Sequence, residues 1–233
     1  MPIGIIVNCL AVVVGGLIGS SASNLLSEPV KMNLNMLFGL ASMGMGISSI
    51  VLMQNMPAVI LSLILGTLLG LGFHLGEAIT RGAAKMQKLF HAEGGSSDQL
   101  VTVIVLFCAS GTGIYGAIVS GMNGDHSILI AKSILDFFTA MIFACTLKKT
   151  VSLIALPQLI IMMILFILAG YIMPLTTPAM INDFKACGGF IMIATGFRIL
   201  QLKMFPTPDM IPAMILVMPL SFLWVSYILP LLS

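Results

Sequence analysis

The chain of 233 residues is dominated by apolar side chains, since 59% of its residues are hydrophobic and only 8% are charged. A soluble globular domain has about 25% charged residues, so this composition predicts an all-α polytopic membrane protein and excludes an ordinary soluble domain. The formal net charge is only +2 and the basic residues fall in short runs, so the sequence predicts no basic surface for binding nucleic acid.

Apolar runs of roughly 17 to 25 residues predict about eight membrane-spanning helices. In chain order the predicted spans are 3–22, 34–53, 57–77, 99–121, 127–147, 151–173, 184–202 and 209–232. The polar stretch 81–98 lies between the third and fourth spans and predicts a loop too short to be a domain. Residues 1–233 are therefore interpreted as one integral membrane domain.

Lysine and arginine in the loops predict the orientation of the chain. They concentrate in the loops after the first, third, fifth and seventh spans, namely Lys31, Arg81, Lys85, Lys88, Lys148, Lys149 and Lys203. The positive-inside rule then places these loops, including 81–98, in the cytoplasm and both termini outside. The first span has no basic segment before it, so we expect it to remain as a span rather than be removed as a signal.

A weak internal repeat relates the first three spans to the last three. Segment 38–52 aligns with 188–202 so that glycines seven residues apart coincide, and the sequence PAVIL from Pro57 aligns with PAMIL from Pro212. The candidate repeats are 3–77 and 151–232, with the hairpin 99–147 between them. Five spans separate equivalent helices, an odd number, so the pattern predicts repeats that are inverted in the membrane.

Glycine and polar residues crowd the fourth span between Ser110 and Gly116, a stretch that includes Thr112 and Tyr115. Such a density weakens a helix and frees backbone carbonyls, which is tolerated at membrane depth where the backbone lines a wet cavity or is buried in protein. The pattern is compatible with a broken span beside a binding site and equally with a straight, closely packed helix.

The fifth span carries two charged residues, Lys132 and Asp136, which share a helix face at a spacing of four. If this span starts near Ser127, Asp136 lies about 14 Å deep, near the middle of a hydrocarbon layer of about 30 Å. A carboxylate at that depth needs a cationic partner or a wet cavity. The two interpretations are a structural pair that locks helices together and part of a substrate or proton site.

Other polar residues complete the candidate site. Asn8 lies inside the first span, where an interhelical hydrogen bond is the main expectation and ligand contact the alternative. Asp125 lies in the turn before the fifth span, at the predicted outer mouth. The candidate substrate-binding residues are Asp136, Lys132, Ser133, Thr112, Tyr115, Asp125 and Asn8.

Metal and cofactor chemistry has no support in the sequence. The four cysteines are widely spaced in apolar segments and predict neither a disulfide nor a metal site. The nineteen methionines are interpreted as flexible packing residues. No HExxH or GxSxG motif occurs, so we expect no cofactor and no enzyme activity.

The sequence GMNGDHSILIAKSILD, from Gly121 to Asp136, resembles the YqgA-like family of bacterial inner-membrane proteins, whose function is not established. The resemblance rests on the Gly124-Asp125 turn and on the KSxLD element from Lys132 to Asp136, with Phe137 replacing the family's following glycine. An LPA-like element appears as Ile211-Pro212-Ala213. The resemblance implies a multi-pass protein of the bacterial inner membrane and names no substrate.

These observations lead to two function hypotheses. The first is a secondary transporter or permease for a small polar or charged solute, with the Lys132/Asp136 pair at its site. The alternative is a non-transporting membrane scaffold or regulatory protein in which the pair only fixes helix packing. The lipid bilayer is a partner in both, and we expect a homodimer.

Overall fold

A computed structural model describes the fold over residues 1–21, 27–89, 97–108 and 110–232, except for some side chains within the helices. The described part is helical. The helices are α1 Ile3–Ser21, α2 Glu28–Ile50, α3 Met56–Gly72, α4 Leu75–Leu89, α5 Ser97–Cys108, α6 Gly111–Asn123, α7 Ser127–Leu147, α8 Thr150–Ile172, α9 Pro178–Ile199, α10 Ile211–Leu223 and α11 Leu229–Leu232. Short 3-10 turns cover Met173–Leu175 and Thr207–Met210, and a π-helical turn covers Trp224–Ile228.

Several helices have the length and apolarity of membrane spans. Within the described residues four qualify, Ile3–Ser21, Ser127–Leu147, Thr150–Tyr171 and Thr207–Leu231, and a bent pair formed by Met56–Gly72 and Leu75–Gly82 makes a fifth. Large apolar side chains cover the outside of these helices, as shown by Leu10, Leu68, Ile167 and Ile215, which are 54%, 59%, 61% and 73% exposed. An apolar exterior of this extent fits a lipid environment rather than water.

Several predicted segments differ from the helices, and the second predicted span, 34–53, is a helix that begins at Glu28 and ends at Ile50. The fourth predicted span is two helices, because α5 ends at Cys108 and α6 begins at Gly111. The third predicted span ends at Gly72 and bends by 59° into α4, with His74 at a φ of 52° at the bend. The prediction of a loop over 81–98 was wrong in part, because α4 continues through Leu89. The seventh predicted span starts earlier than expected, at Pro178, where Thr177 caps the helix.

The helices pack around two buried clusters. The first joins α1, α5, α7 and α8 and contains Ile5, Phe107, Leu129 and Ile154. The second joins α3, α9 and α10 and contains Val59, Ile191 and Val217. Helix α6 contributes to both, through Ala117 to the first and Ile118 to the second, and therefore connects the two halves of the bundle.

Three helix pairs approach each other in antiparallel directions: α1 with α8, α2 with α9, and α3 with α10. Their close approaches are Asn8 with Gln158, Val13 with Ser152, Gly46 with Gly189, Gly39 with Gly196, Gly66 with Ala213, and Gly70 with Asp209 in the 3-10 turn just before α10. At α2 and α9 the backbones touch, because a Cβ on Gly46 would lie 2.6 Å from the Gly189 carbonyl oxygen. Small residues permit this approach where no side chain stands between the helices.

Candidate functional site

The predicted ion pair is confirmed on α7. Lys132 Nζ donates a hydrogen bond to Asp136 Oδ2, one helical turn further along. The two side chains are only 3% and 7% exposed. The Lys132 ammonium also lies 5.9 Å from the centre of the Phe107 ring on α5, within the range of a cation–π contact.

Two amides extend the pair into a network across three helices. Asn8 Nδ2 on α1 donates to Asp136 Oδ2 at 2.8 Å, and Gln158 Nε2 on α8 donates to Asn8 Oδ1 at 2.6 Å. The interhelical bond predicted for Asn8 is confirmed. Gln158 was not among the predicted residues, although a single amide in the apolar run of α8 was a signal that could have identified it. The network ties α1 and α8 to the charged face of α7.

Glycines on α1 let that helix come close enough to α7 for the Asn8 contact. A Cβ on Gly15 would lie 2.3 Å from the carbonyl oxygen of Phe137, and one on Gly19 would lie 1.8 Å from that of Met141. A larger residue at either position would therefore collide with the α7 backbone. Phe137 stands where the family element has a glycine. The helices α1 and α7 still approach closely there, because Gly15 on α1 lies against the Phe137 backbone.

The Lys132/Asp136 pair borders a small cavity at the break between α5 and α6. Its lining side chains come from α2, α5, α6, α7, α9 and the break itself, and include Ser42, Ser110, Thr112, Thr139 and Thr195. The volume is about 40 Å³, enough for a few water molecules, since each needs about 10–15 Å³ by this measure. Most of its wall is apolar, and the polar part consists of the charged pair and these five hydroxyl groups.

Ser110 forms the break. Its side-chain Oγ accepts a hydrogen bond from Gly113 N at 3.2 Å and so caps the new helix α6. Thr112 Oγ1 donates to Met192 Sδ on α9 at 2.9 Å. The crowded stretch in the fourth predicted span thus begins at a helix break, and it is not the straight helix of the second alternative.

The remaining predicted residues lie away from the cavity or outside the description. The Ser133 hydroxyl donates to Leu129 O on its own helix and does not line the cavity. Asp125 is exposed in the α6–α7 turn and is not among the residues lining the cavity. The Ser127 hydroxyl and backbone N–H both donate to the Asp125 carboxylate and hold its pKa below the ordinary value of 3.8. The Tyr115 side chain lies outside the described residues.

A second buried carboxylate was not predicted as part of any site. Asp183 on α9 is 0% exposed. Its Oδ1 accepts from the backbone N–H groups of Gln54 and Asn55 at 2.8 and 2.9 Å, and its Oδ2 accepts from Asn55 Nδ2 and Ser221 Oγ at 2.8 and 2.6 Å. These four neutral donors join the start of α3 and the end of α10 to α9. Sequence analysis had placed Asp183 in an outer loop.

Within the described residues, no group of three or more His, Cys, Asp and Glu side chains is placed to hold a metal ion. The four cysteines are buried free thiols. The chemistry available at the cavity is therefore that of one ammonium, one carboxylate and several hydroxyl groups.

The helical fold with its apolar exterior defines a membrane protein with a buried charged pair beside a small cavity. The family model described as "Protein of unknown function (DUF554)" matches residues 3–222, so the chain belongs to this family. It is 48% identical over 233 residues to "Uncharacterized protein YqgA" of Escherichia coli (strain K12), covering 97% of this chain and 99% of that relative.

A more distant relative is described by its name as a membrane protein. "Uncharacterized membrane protein YdfK" of Bacillus subtilis (strain 168) is 26% identical over 219 residues, which cover 91% of this chain and 93% of the relative. No solved structure matches the chain. The resemblance to the YqgA-like family is therefore confirmed over nearly the whole chain.

Proposed function

We propose that the protein is a secondary transporter or permease for a small polar or charged solute, and that the Lys132/Asp136 pair is part of its binding site. The observation that carries the proposal is the position of the pair, which is buried on α7 and yet borders a cavity with several hydroxyl groups in its wall. Ionisable groups inside membrane helices are costly, and they occur mainly where a solute, an ion or a proton is handled.

The break between α5 and α6 supports this proposal. Helix ends within the membrane occur where the freed backbone groups line a cavity, and transporters use such discontinuous helices to build binding sites. Ser110 and Thr112 at this break share the cavity with Asp136. In this proposal they provide hydrogen bonds to the solute, while Lys132 and Asp136 exchange their mutual contact for a contact with it.

We further propose eight passes through the membrane with inverted repeats at 3–77 and 151–232. The support is that each equivalent pair of helices, α1 with α8, α2 with α9, and α3 with α10, packs together in antiparallel directions, as an axis in the membrane plane requires. The α2–α9 contact joins the glycines that the repeat aligns, since Gly39 faces Gly196 and Gly46 faces Gly189. In this arrangement α5 and α6 together form one pass.

A location in the bacterial inner membrane with both termini outside belongs to the same proposal, and its support is the distribution of lysine and arginine among the loops. The homodimer and the absence of enzyme activity stay predictions. In the proposed orientation, the α6–α7 turn with Asp125 lies on the outer side of the membrane.

The alternative function is a membrane scaffold or regulatory protein. The observation that favours it is the chain of hydrogen bonds from Gln158 through Asn8 to Asp136, which ties α8, α1 and α7 together. A pair that serves only this purpose would hold the helices without binding a solute.

Solute flux into proteoliposomes tests the two functions. Solutes that raise the apparent melting temperature of the purified protein are selected first, because a ligand of the folded state stabilises it. Their uptake is then compared for wild type, Asp136→Asn and the matched control Glu77→Gln, which removes an exposed carboxylate at the start of α4. We expect uptake by wild type and Glu77→Gln and a loss of at least about tenfold for Asp136→Asn.

Unchanged uptake by a folded Asp136→Asn variant would remove this residue from the mechanism. Absence of uptake for every stabilising solute would favour the scaffold.

A further inference from the structure

A second cavity lies between α2, α6, α7 and α9, at the end of the bundle that carries the α6–α7 turn. Its volume is about 230 Å³, and its lining includes Ser48, Ile128 and Lys185. Ser48 is exposed and Ile128 is at the start of α7, so this cavity lies towards the surface of the bundle. We call it the vestibule, and we call the cavity beside Asp136 the inner chamber.

Two residues line both the vestibule and the inner chamber. Met45 on α2 and Thr112 on α6 belong to the walls of both. Thr112 is also bonded to Met192, which lines the inner chamber. The two cavities are therefore neighbours separated by Met45, Thr112 and Met192. A methionine side chain is flexible, so a change of rotamer is enough to widen this narrow point.

The walls of the two cavities carry two lysines and one carboxylate, and the carboxylate is paired with one of the lysines. Lys185 lines the vestibule, and Lys132 and Asp136 line the inner chamber. The Asp136 carboxylate is engaged by Lys132 and Asn8. Asp183, two residues from Lys185, lines neither cavity, because its oxygens are bonded to the start of α3 and to α10.

We propose that the vestibule and the inner chamber are consecutive compartments of one route for a small anion, which Lys185 attracts at the mouth and Lys132 binds inside. This inference rests on the proposed transporter function and specifies the class of its solute. Field lines concentrate in a narrow cavity with low-dielectric walls, so a single lysine at the mouth raises the local concentration of anions.

The first turn of α6 adds to the positive potential of the inner chamber. A helix N-terminus carries a partial positive charge of about one half. A Cβ on Gly113 would lie 3.0 Å from Lys132 Cε, so the lysine stem packs against this turn. The ammonium of Lys132 and the N-terminus of α6 are thus adjacent, and an anion in the chamber would interact with both.

The size of the inner chamber limits the anion. About 40 Å³ of space corresponds to about three water molecules. Nitrate and formate, with three or four heavy atoms, match this size, whereas a large organic anion does not. The class is therefore a monovalent inorganic anion or a short carboxylate.

Anion binding to the purified wild-type protein tests the inference without any transport measurement. The apparent melting temperature is followed while sodium gluconate, a bulky reference anion, is replaced by sodium nitrate or sodium formate at constant ionic strength. A second series keeps gluconate and replaces sodium with lithium or potassium. We expect saturable stabilisation in the anion series and none in the cation series.

Three variants, Lys185→Gln, Lys185→Arg and Lys203→Gln, test whether anion binding depends on the lysine of the vestibule. Lys203 is an exposed lysine just after α9 and lines neither cavity, which makes it the matched control. We expect Lys185→Gln to weaken anion binding by about tenfold, equivalent to about 1.4 kcal/mol. Lys185→Arg should retain wild-type affinity and Lys203→Gln should change it by less than about twofold.

Should Lys185→Gln fail to fold, Ser48→Glu provides the same test, because it adds a negative charge to the vestibule wall. Stabilisation that depends on the identity of the cation would overturn the inference. Anion affinity equal to that of wild type in Lys185→Gln or in Ser48→Glu would overturn it too.

The outcomes separate this inference from the transporter proposal. Anion binding that depends on Lys185, without flux in proteoliposomes, supports an anion site in these cavities and contradicts transport. Flux of cationic or neutral solutes without anion binding supports transport and contradicts the anion route.

Discussion

Two of the buried carboxylates in the described part of the chain, those of Asp136 and Asp183, occupy different surroundings. Asp183 is 0% exposed and is bonded to four neutral donors from α10 and the start of α3. Asp136 is bonded to the ammonium of Lys132 and to one amide, and it borders a cavity. A fully bonded carboxylate holds helices in place, whereas one that pairs with a movable lysine beside a cavity can exchange that partner for a solute.

The comparison teaches that burial alone does not identify a site. Both residues are aspartates in apolar helices, yet of the two only Asp136 lines the vestibule or the inner chamber. The local structure decides the difference, since Asp183 joins the ends of two other helices and Asp136 faces a helix break.

The largest expected effect comes from removing one charge of the pair. Lys132→Met leaves the Asp136 carboxylate buried without its cation, and breaking a buried pair in this way costs about 3–5 kcal/mol. The free energy of unfolding in mild detergent, or the melting temperature where unfolding is irreversible, measures the loss.

The double variant Lys132→Met with Asp136→Leu serves as the control for that prediction. It should recover most of the lost stability, because no uncompensated charge remains. If the double variant is as unstable as the single one, the charge pair is not the cause.

A loss of similar size is expected for Asp183→Ala. The four donors would lose their acceptor, and an unpaired buried donor costs about 1–3 kcal/mol, so we expect a total of at least about 3 kcal/mol even with partial relaxation by water. Nitrate or formate affinity, measured on the folded fraction, should remain within about twofold of wild type. A loss of anion affinity with unchanged stability would assign Asp183 to the binding site. The distinction between a structural Asp183 and a functional Asp136 would then be wrong.

The contact between α2 and α9 can be tested with two glycines on one helix. Gly46→Ala would place a Cβ 2.6 Å from the Gly189 carbonyl oxygen, while a Cβ on Gly44 meets nothing within 4 Å. We expect Gly46→Ala to destabilise the protein by about 1–3 kcal/mol and Gly44→Ala to be neutral or stabilising by up to about 1 kcal/mol. Equal effects of the two substitutions on the melting temperature would contradict the close α2–α9 contact.

The smallest effect concerns Asp125 in the exposed turn. Its pKa lies below 3.8 in the folded protein because Ser127 donates to it, so its contribution to stability is present above the unfolded pKa and is lost as the pH falls through the folded value. The melting temperatures of wild type and Asp125→Asn should differ slightly at about pH 6 and converge below about pH 3. A difference that grows towards acid pH would have the wrong sign.

The sequence predicted the charged pair well because both partners lie on one helix. A spacing of four residues places Lys132 and Asp136 on one face whatever the rest of the fold does. The polar, glycine-rich stretch of the fourth span likewise predicted an unusual helix, although the break falls at Ser110, just before the glycines. Asn8 was identified because an amide inside an apolar span needs a partner.

The features that sequence analysis missed depend on helices distant in the chain. Gln158 became part of the network only because α8 packs on α1 beside Asn8. Asp183 was placed in a loop because the span was taken to begin at residue 184, whereas Thr177 and Pro178 start the helix earlier and put Asp183 in its second turn. Asn55 and Ser221 could not be assigned to it without the three-dimensional arrangement.

The most direct test of the central claim compares solvent access to the two carboxylates. Thr139→Cys places a thiol on the wall of the inner chamber, one turn from Asp136, and Ser221→Cys places one beside Asp183. The four native cysteines are buried and give the background rate of modification by methyl methanethiosulfonate in membranes. Since only a hydrated thiol ionises and reacts readily, we expect the cysteine at position 139 to be modified and the one at 221 to stay at background. Protection of both, or modification of 221 alone, would contradict the claim that Asp136 borders a solvent-accessible cavity while Asp183 is sealed.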